Sequence, residues 1–215
     1  MIGMEPSFWH QRWAKNETGW HERQVNPLLI AYFNDVSVGK SPRVFLPLCG
    51  KTLDIAWLLS NGSRVSAVEL SQLAIEQLFM DLGLQPDISA VGTVQQWSAK
   101  NIDIFVGNLF GVSRTLLGPV DAVYDRAALV ALPEQMRPRY TAHLMEITNR
   151  APQLLICYKY DQRAMDGPPF SITREEVGRH YGRTFDLRLL ASVDVWDGLK
   201  GKCPAKENVW LLHSR

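Results

Sequence analysis

Residues 43–53 read RVFLPLCGKTL, a short apolar run followed by a turn that ends in Gly-Lys-Thr. Gly-Lys-Thr is how a phosphate-gripping Walker loop ends, but that loop needs a glycine five residues before its second glycine, so that the backbone can wrap the phosphates. Here the place is held by Phe45, inside the apolar run, and Pro47 removes an amide donor. The triphosphate reading therefore fails on geometry. What remains is a buried strand, Val44 to Leu48, turning into a helix from Leu53 to Leu59 that Asn61-Gly62 stops. Open α/β sheets bind ligands at such strand-to-helix turns, and Gly50 permits a sharp turn or a close approach there.

Working outward, Arg64 to Leu70 is a second strand. Ser71 caps a helix whose apolar face is Leu73, Ile75, Leu78, Phe79 and Leu82, ended by Gly83. Ile102 to Val106, Val120 to Tyr124 and Leu154 to Tyr158 read as three more strands, with a helix from Glu134 to Thr148 after Pro133. Asn26 followed by Pro27 opens an earlier helix, and Thr173 with Glu176 forms a capping-box signature running towards Tyr181. Asp186 to Val195 and Asn208 to Leu212 have no helix between them and read as an antiparallel hairpin. Alternating strands and helices predict an α/β, Rossmann-like sheet, mostly parallel with a C-terminal antiparallel hairpin. Without an internal repeat or linker, residues 1–215 read as a single domain.

Composition narrows the function. The 23 basic and 22 acidic residues nearly cancel, which argues against a nucleic-acid partner. No apolar run reaches membrane-spanning length, so no membrane partner is expected. Cys49, Cys157 and Cys203 are distant and odd in number, fitting a reducing, cytoplasmic compartment. The opening MIGMEPSFWHQRW lacks the pattern of a secretory leader, and Met4 leaves open whether residues 1–3 are native. With no coiled-coil signal, a monomer is the default.

Glu69 ends the second strand about 20 residues beyond the Gly50 turn, where an acidic side chain can hold the ribose hydroxyls of an adenosine ligand. A solvated strand end is the plainer alternative. A nicotinamide cofactor normally asks for a GxGxxG turn to seat its pyrophosphate. This chain has Gly50 alone, and S-adenosyl-L-methionine has no phosphate to seat, so the methyl donor is favoured.

Five ordered segments resemble the thiopurine S-methyltransferase family, most closely its bacterial members: FWHQRWAKNETGWH (8–21), VFLPLCGKTLDIAWL (44–58), VSAVELSQLAIEQLF (65–79), DAVYDRAALVALP (121–133) and GPPFSIT (167–173). The resemblance covers nearly the whole chain. It implies cofactor contacts from Trp13, Leu48, Glu69, Asn108 and Arg126, and an acceptor-side place for Trp20. Asn108 departs from the acidic residue that many members carry thereabouts. The implied activity is methyl transfer from S-adenosyl-L-methionine to small aromatic or heterocyclic thiols such as thiopurines, with selenium and tellurium species as further acceptors. A catalytically inactive module that binds or senses an adenosine ligand is the alternative.

Residues 7–24 are expected to form an aromatic lid. Trp9 and Trp13 stand one helical turn apart and can share a face, and Trp20 follows. An indole near the sulfonium gives a cation–π attraction of about 0.5–2 kcal/mol. Packing on the methionine chain or a bond to its carboxylate are the other roles open to Trp13. For Arg126 the choice lies between a surface ion pair with Asp125 and a guanidinium at the site mouth, bonding cofactor or a developing thiolate. His10, His21 and Asp125 are the candidate proton acceptors, with no essential base identified. His10, His21, His143, His180 and His213 lack metal-ligand spacing, so no metal is expected. Cys49 is read as packing, and Asp161 with Gly167-Pro168-Pro169-Phe170 and Met165 as a wall of the acceptor pocket.

Overall fold

The computed structural model describes residues 6–36 and 39–215; the question about residues 1–3 lies outside the described residues. Helix α1 (Pro6–Ala14) carries the first tryptophans. Helix α2 (Pro27–Val36) starts as expected, with Asn26 Oδ1 accepting from the Leu28 and Leu29 amides at 2.8 and 3.3 Å. Then follow β1 (Arg43–Leu46), α3 (Asp54–Ser60), β2 (Arg64–Glu69) and α4 (Gln72–Leu82). Helix α4 is capped by Ser71, and Gly83 at φ +65° ends it. Two strands absent from the sequence reading come next, β3 (Asp87–Val91) and β4 (Val94–Ala99), before β5 (Ile102–Val106). The remaining elements are α5 (Arg114–Leu117), β6 (Ala122–Arg126), α6 (Arg137–Ile147), β7 (Gln153–Lys159), α7 (Arg174–Tyr181), β8 (Phe185–Asp194) and β9 (Lys206–Ser214).

One nine-stranded sheet runs β3-β4-β5-β2-β1-β6-β7-β9-β8. The five central strands, β5 to β7 in that order, are parallel, and both edges are antiparallel hairpins. The mostly parallel sheet and C-terminal hairpin are as expected; the second hairpin is the addition. Strand order reverses between β1 and β6, which places a crevice beyond their carboxyl ends.

Residues alternate across the parallel strands. Phe45, Val68, Phe105, Val123 and Leu155 pack with Tyr140 and Leu144 of α6 and Val177 and Tyr181 of α7. On the other face Val44, Leu46, Ala67, Ile104, Tyr124 and Ile156 pack with Leu29, Ile55, Leu58, Ile75 and Phe79 of α2, α3 and α4. Every parallel strand is thus covered on both sides, which is why these strands read as continuous apolar runs.

Two local readings need correction. Helix α6 begins at Arg137, because residues 133–136 close a turn in which the Met136 amide donates to the Pro133 carbonyl at 2.9 Å. The capping box of α7 is only half made. Thr173 Oγ1 accepts from the Glu176 amide at 3.2 Å, but the Glu176 carboxylate is drawn away to Arg137 Nη1 at 2.6 Å.

Candidate active site

The turn after β1 is left-handed twice, at Leu48 (φ +48°) and at Gly50 (φ +54°). A leucine there is strained by its Cβ, whereas glycine is not. The reversal turns the Gly50 amide back to Glu69 Oε2, 2.7 Å away, and Oε1 accepts from the Ser71 amide at 2.8 Å. Glu69 therefore ties the loop after β1 to the start of α4. The residue is buried. Burial raises its pKa, while the amides of Ser71, Gly50 and Leu70 work in the opposite direction. A carboxylate has about four lone-pair sites, so Glu69 keeps acceptor capacity for a further donor. A solvated strand end is excluded by the burial.

Trp13 is 3% exposed and lies over this turn. A Cβ on Gly50 would stand 3.1 Å from its Cζ2 and 4.0 Å from Trp20 Nε1. Trp9 and Trp13 both meet Trp20 edge-on, with ring centroids 5.4 and 5.8 Å apart, so the expected shared face exists and Trp20 fills it. Cys49, in the same turn, packs on the core, and burial with the Glu69 charge pushes its thiol well above its ordinary pKa. His21 has its pKa lowered by burial and by the Lys51 charge.

Arg126 closes the other side of the crevice. Its Nη2 donates to Glu22 Oε1 at 2.7 Å and Nη1 to the Trp20 carbonyl at 3.4 Å. Burial alone would lower its pKa, but Tyr124, Tyr158, Asp54 and Glu22 more than offset that. The alternative reading, a surface pair with Asp125, is not realised; the ion pair goes to Glu22 instead. Alternation sends Asp125 to the opposite face, where it is fully buried and accepts from Tyr140 Oη at 2.7 Å and the Leu129 amide at 3.1 Å. That placement also removes Asp125 from the candidate proton acceptors.

Asn108 follows β5 beside Glu69, since Val106 pairs with Glu69 across the β2–β5 ladder. Its side chain is exposed and its Oδ1 caps the next turn, accepting from the Phe110 amide at 3.0 Å. Asp161 is exposed, caps a short turn and pairs with exposed Arg163 at 2.7 Å. Phe170 is turned onto the Arg137 guanidinium, 5.2 Å from ring centre to Cζ, and Met165 packs with Tyr158 and Tyr160 on the small cluster of Leu199, Cys203 and Ala205.

Three participants went unread in the sequence. Glu22 is an acidic residue two positions after Trp20, with nothing local to mark it. Asp54 Oδ1 accepts from the Asn26 amide at 2.8 Å and Oδ2 from Tyr124 Oη at 3.0 Å, rooting the end of the aromatic segment on β6. Glu207 lies directly opposite Tyr158 in the β7–β9 ladder, and burial raises its pKa while Tyr158 and Arg126 oppose the rise. A separate groove of about 680 Å³, lined by Arg114, Asp121, Asn149 and Pro152 among others, opens at the amino ends of β6 and β7, at the opposite end of these strands from Arg126.

The thiopurine S-methyltransferase family profile matches residues 4–214. The chain belongs to that family. Within it, a thiopurine S-methyltransferase of Xanthobacter autotrophicus is 50% identical over 97% of this chain and 99% of its own length, and one of Teredinibacter turnerae is 46% identical over 97% of each. Among solved structures, a 1,6-didemethyltoxoflavin N1-methyltransferase of Burkholderia thailandensis with S-adenosylhomocysteine bound shares the fold, at TM-score 0.66 and 15% identity over 97% of this chain and 87% of that one. A methyltransferase of Anabaena variabilis gives 0.64 at 15% identity over 98% and 95%.

This thiopurine S-methyltransferase family member is an enzyme that takes its methyl group from S-adenosyl-L-methionine. The crevice fits that cofactor. Glu69 keeps unpaired acceptor capacity for a ribose diol, and the turn at Gly50 offers no phosphate nest because Phe45 holds the place of its first glycine and Pro47 lacks an amide donor.

Proposed function

We propose that this chain methylates the sulfur of small aromatic or heterocyclic thiols such as thiopurines, with selenium and tellurium species as further acceptors. The observation that carries the reading is the Glu69 carboxylate, held by two backbone amides at the end of β2, beside the sheet's switch point, with Trp13 over the adjoining Gly50.

When bound, S-adenosyl-L-methionine supplies an electrophilic methyl on a positive sulfur. Glu69 holds the ribose hydroxyls, and the Leu48–Gly50 turn shapes the floor. The Trp13 face lies on the cofactor side and excludes water, Trp20 borders the acceptor, and Asn108 stands at the adenine end. Arg126 brings positive charge to the acceptor side, favouring the thiolate over the thiol. Aromatic thiols are substantially ionised near neutrality, so the chain needs no strong base. Alignment of sulfur with methyl supplies up to about 7–11 kcal/mol. Residues 7–24 act as the aromatic lid of a single domain, working as a cytoplasmic monomer on a small molecule without nucleic acid or membrane. Among the described residues no helix is long and apolar enough to cross a membrane.

The test is incubation with methyl-labelled S-adenosyl-L-methionine and a panel of aromatic thiols. Labelled thioether is the expected product. Binding of S-adenosylhomocysteine without transfer to any thiol would replace this reading with the inactive binding module. Stabilisation by ATP and none by S-adenosylhomocysteine would overturn the cofactor.

A further inference from the structure

The Arg126 side chain is 9% exposed, yet its hydrogen bonds among the described residues go to one segment, through Glu22 and the Trp20 carbonyl. The guanidinium is a planar fork of five donors, shaped to take an anion through two parallel bonds. Glu22 uses one edge of it through a single oxygen, Oε1, at 2.7 Å. The Glu22 side chain is itself 52% exposed, so it returns to water at small cost once something else satisfies the arginine. The arginine cannot be abandoned in the same way, because a buried charge left unpaired is expensive.

The surroundings sharpen the competition. Tyr124, two residues before Arg126, shares its face of β6, and Tyr158 on the adjacent β7 and Glu207 on β9 beyond it stand at the same carboxyl end of the parallel sheet. Glu22 and Glu207 thus bring two carboxylates near one guanidinium. An incoming carboxylate meets a guanidinium with one edge already engaged from the lid side.

We propose that Glu22 is a specificity-determining residue: it competes with a carboxylate on the acceptor for Arg126, so that acceptors carrying this second negative charge bind only by displacing it. The inference rests on the methyltransferase reading above. An acceptor with no charge beyond its thiolate enters with the Glu22–Arg126 pair intact. A carboxylated acceptor takes the guanidinium and releases residues 20–22 from it, which links the charge of the acceptor to the position of Trp20.

The test compares 4-mercaptobenzoate with 4-mercaptobenzamide, a pair alike in shape and differing in charge. Binding to the chain saturated with S-adenosylhomocysteine is measured by calorimetry, for wild type, Glu22→Gln and Glu22→Asp, alongside kcat and KM for methyl transfer. Glu22→Gln should raise the benzoate-to-benzamide affinity ratio at least fivefold, mainly through benzoate. Glu22→Asp, which keeps the charge, should restore the ratio to within twofold of wild type. An unchanged ratio, an equal change for both ligands, or no binding of either would overturn the proposal, leaving Glu22 as a strut for the segment. Methyl transfer to no thiol by wild type would strike the proposed reaction instead, and the calorimetric ratio would still decide Glu22.

Discussion

The Gly50 amide donates to Glu69 Oε2 at 2.7 Å, joining residues 19 apart in sequence across the ends of two parallel strands. The contact exists because β1 and β2 run in register, Leu46 beside Ala67, so the loops that leave them emerge side by side. A carboxylate at the end of β2 meets an outward amide at the end of β1, and the Ser71 amide completes the clamp at 2.8 Å. The same oxygens that organise the floor of the site remain able to accept from a ligand.

Replacing Glu69 with Ala should therefore do two separable things. Two enclosed amides lose their acceptor, at about 1–3 kcal/mol for a buried group left unsatisfied, offset in part by no longer burying a charge. Chemical denaturation should show a loss of about 2 kcal/mol. Calorimetry at a temperature where the variant is folded should show S-adenosylhomocysteine binding weakened by at least tenfold. An affinity within twofold of wild type would make Glu69 a structural clamp with no part in cofactor binding.

Gly50→Ala tests the packing above that floor. The left-handed φ of +54° costs a non-glycine residue about 1–2 kcal/mol. The new methyl would also press on Trp13 Cζ2 at 3.1 Å, so the indole must shift. The expected result is a modest fall in unfolding midpoint, weaker cofactor binding and a red shift in tryptophan emission as Trp13 leaves its buried position. Unchanged emission with full affinity would mean that the turn tolerates a side chain and that Trp13 does not depend on it.

The parallel strands were legible where apolar runs coincide with burial. Strand β5 was read to the residue, because Ile102–Val106 is apolar save for Asp103 and Gly107 follows it. Strand β6 was read two residues early. Its end is Asp125-Arg126, charged residues that the strand accommodates only through Tyr140 on one face and Glu22 on the other. The β3–β4 hairpin was missed because β3 is exposed along most of its length, so the short alternation of Ile88 and Ala90 with Asp87 and Ser89 marks no buried face; the two-residue turn Gly92-Thr93 was its other signal. In the site, Glu69 was legible from its place at a strand end. Glu22 and Asp54 were not, since their partners lie 104 and 70 residues away and only the folded sheet brings them together.

Arg137→Ala should be among the more damaging substitutions away from the site. Arg137 Nη1 meets Glu176 Oε1 at 2.6 Å, its Nε donates to the Leu132 carbonyl at 2.9 Å, and both side chains are under 10% exposed. Burial would raise the Glu176 pKa, but bonds from His180 and Arg137 outweigh it and hold the carboxyl below its ordinary value. Removing the arginine strands that carboxylate, at about 3–5 kcal/mol for a broken buried pair. The double variant Arg137→Met with Glu176→Met should recover most of the loss in urea unfolding. A double variant as unstable as the single one would place the cost in the Leu132 bond and the Phe170 contact instead.

Asp125 should make the protein less stable as pH rises through the weakly acidic range. Burial lifts its carboxyl from the ordinary 3.8 to about 6, against the pull of Tyr140 and the amides of Leu129 and Ala128. Below 3.8 the folded and unfolded chains both hold the proton, and the group contributes no difference. Between there and about 6 the unfolded chain ionises first, so each step in pH favours unfolding; above 6 the full penalty stands. The interval corresponds to about 3 kcal/mol, as an order of magnitude. Asp125→Asn removes the titration and can keep both contacts, its Oδ1 accepting from the Leu129 amide and its Nδ2 donating to Tyr140 Oη. The variant should therefore gain on wild type as pH rises from 4 to 7, read as the difference between their unfolding free energies, which cancels the carboxylates they share. A difference independent of pH would show that Asp125 ionises at an ordinary value in the folded chain, and that its two hydrogen bonds outweigh its burial.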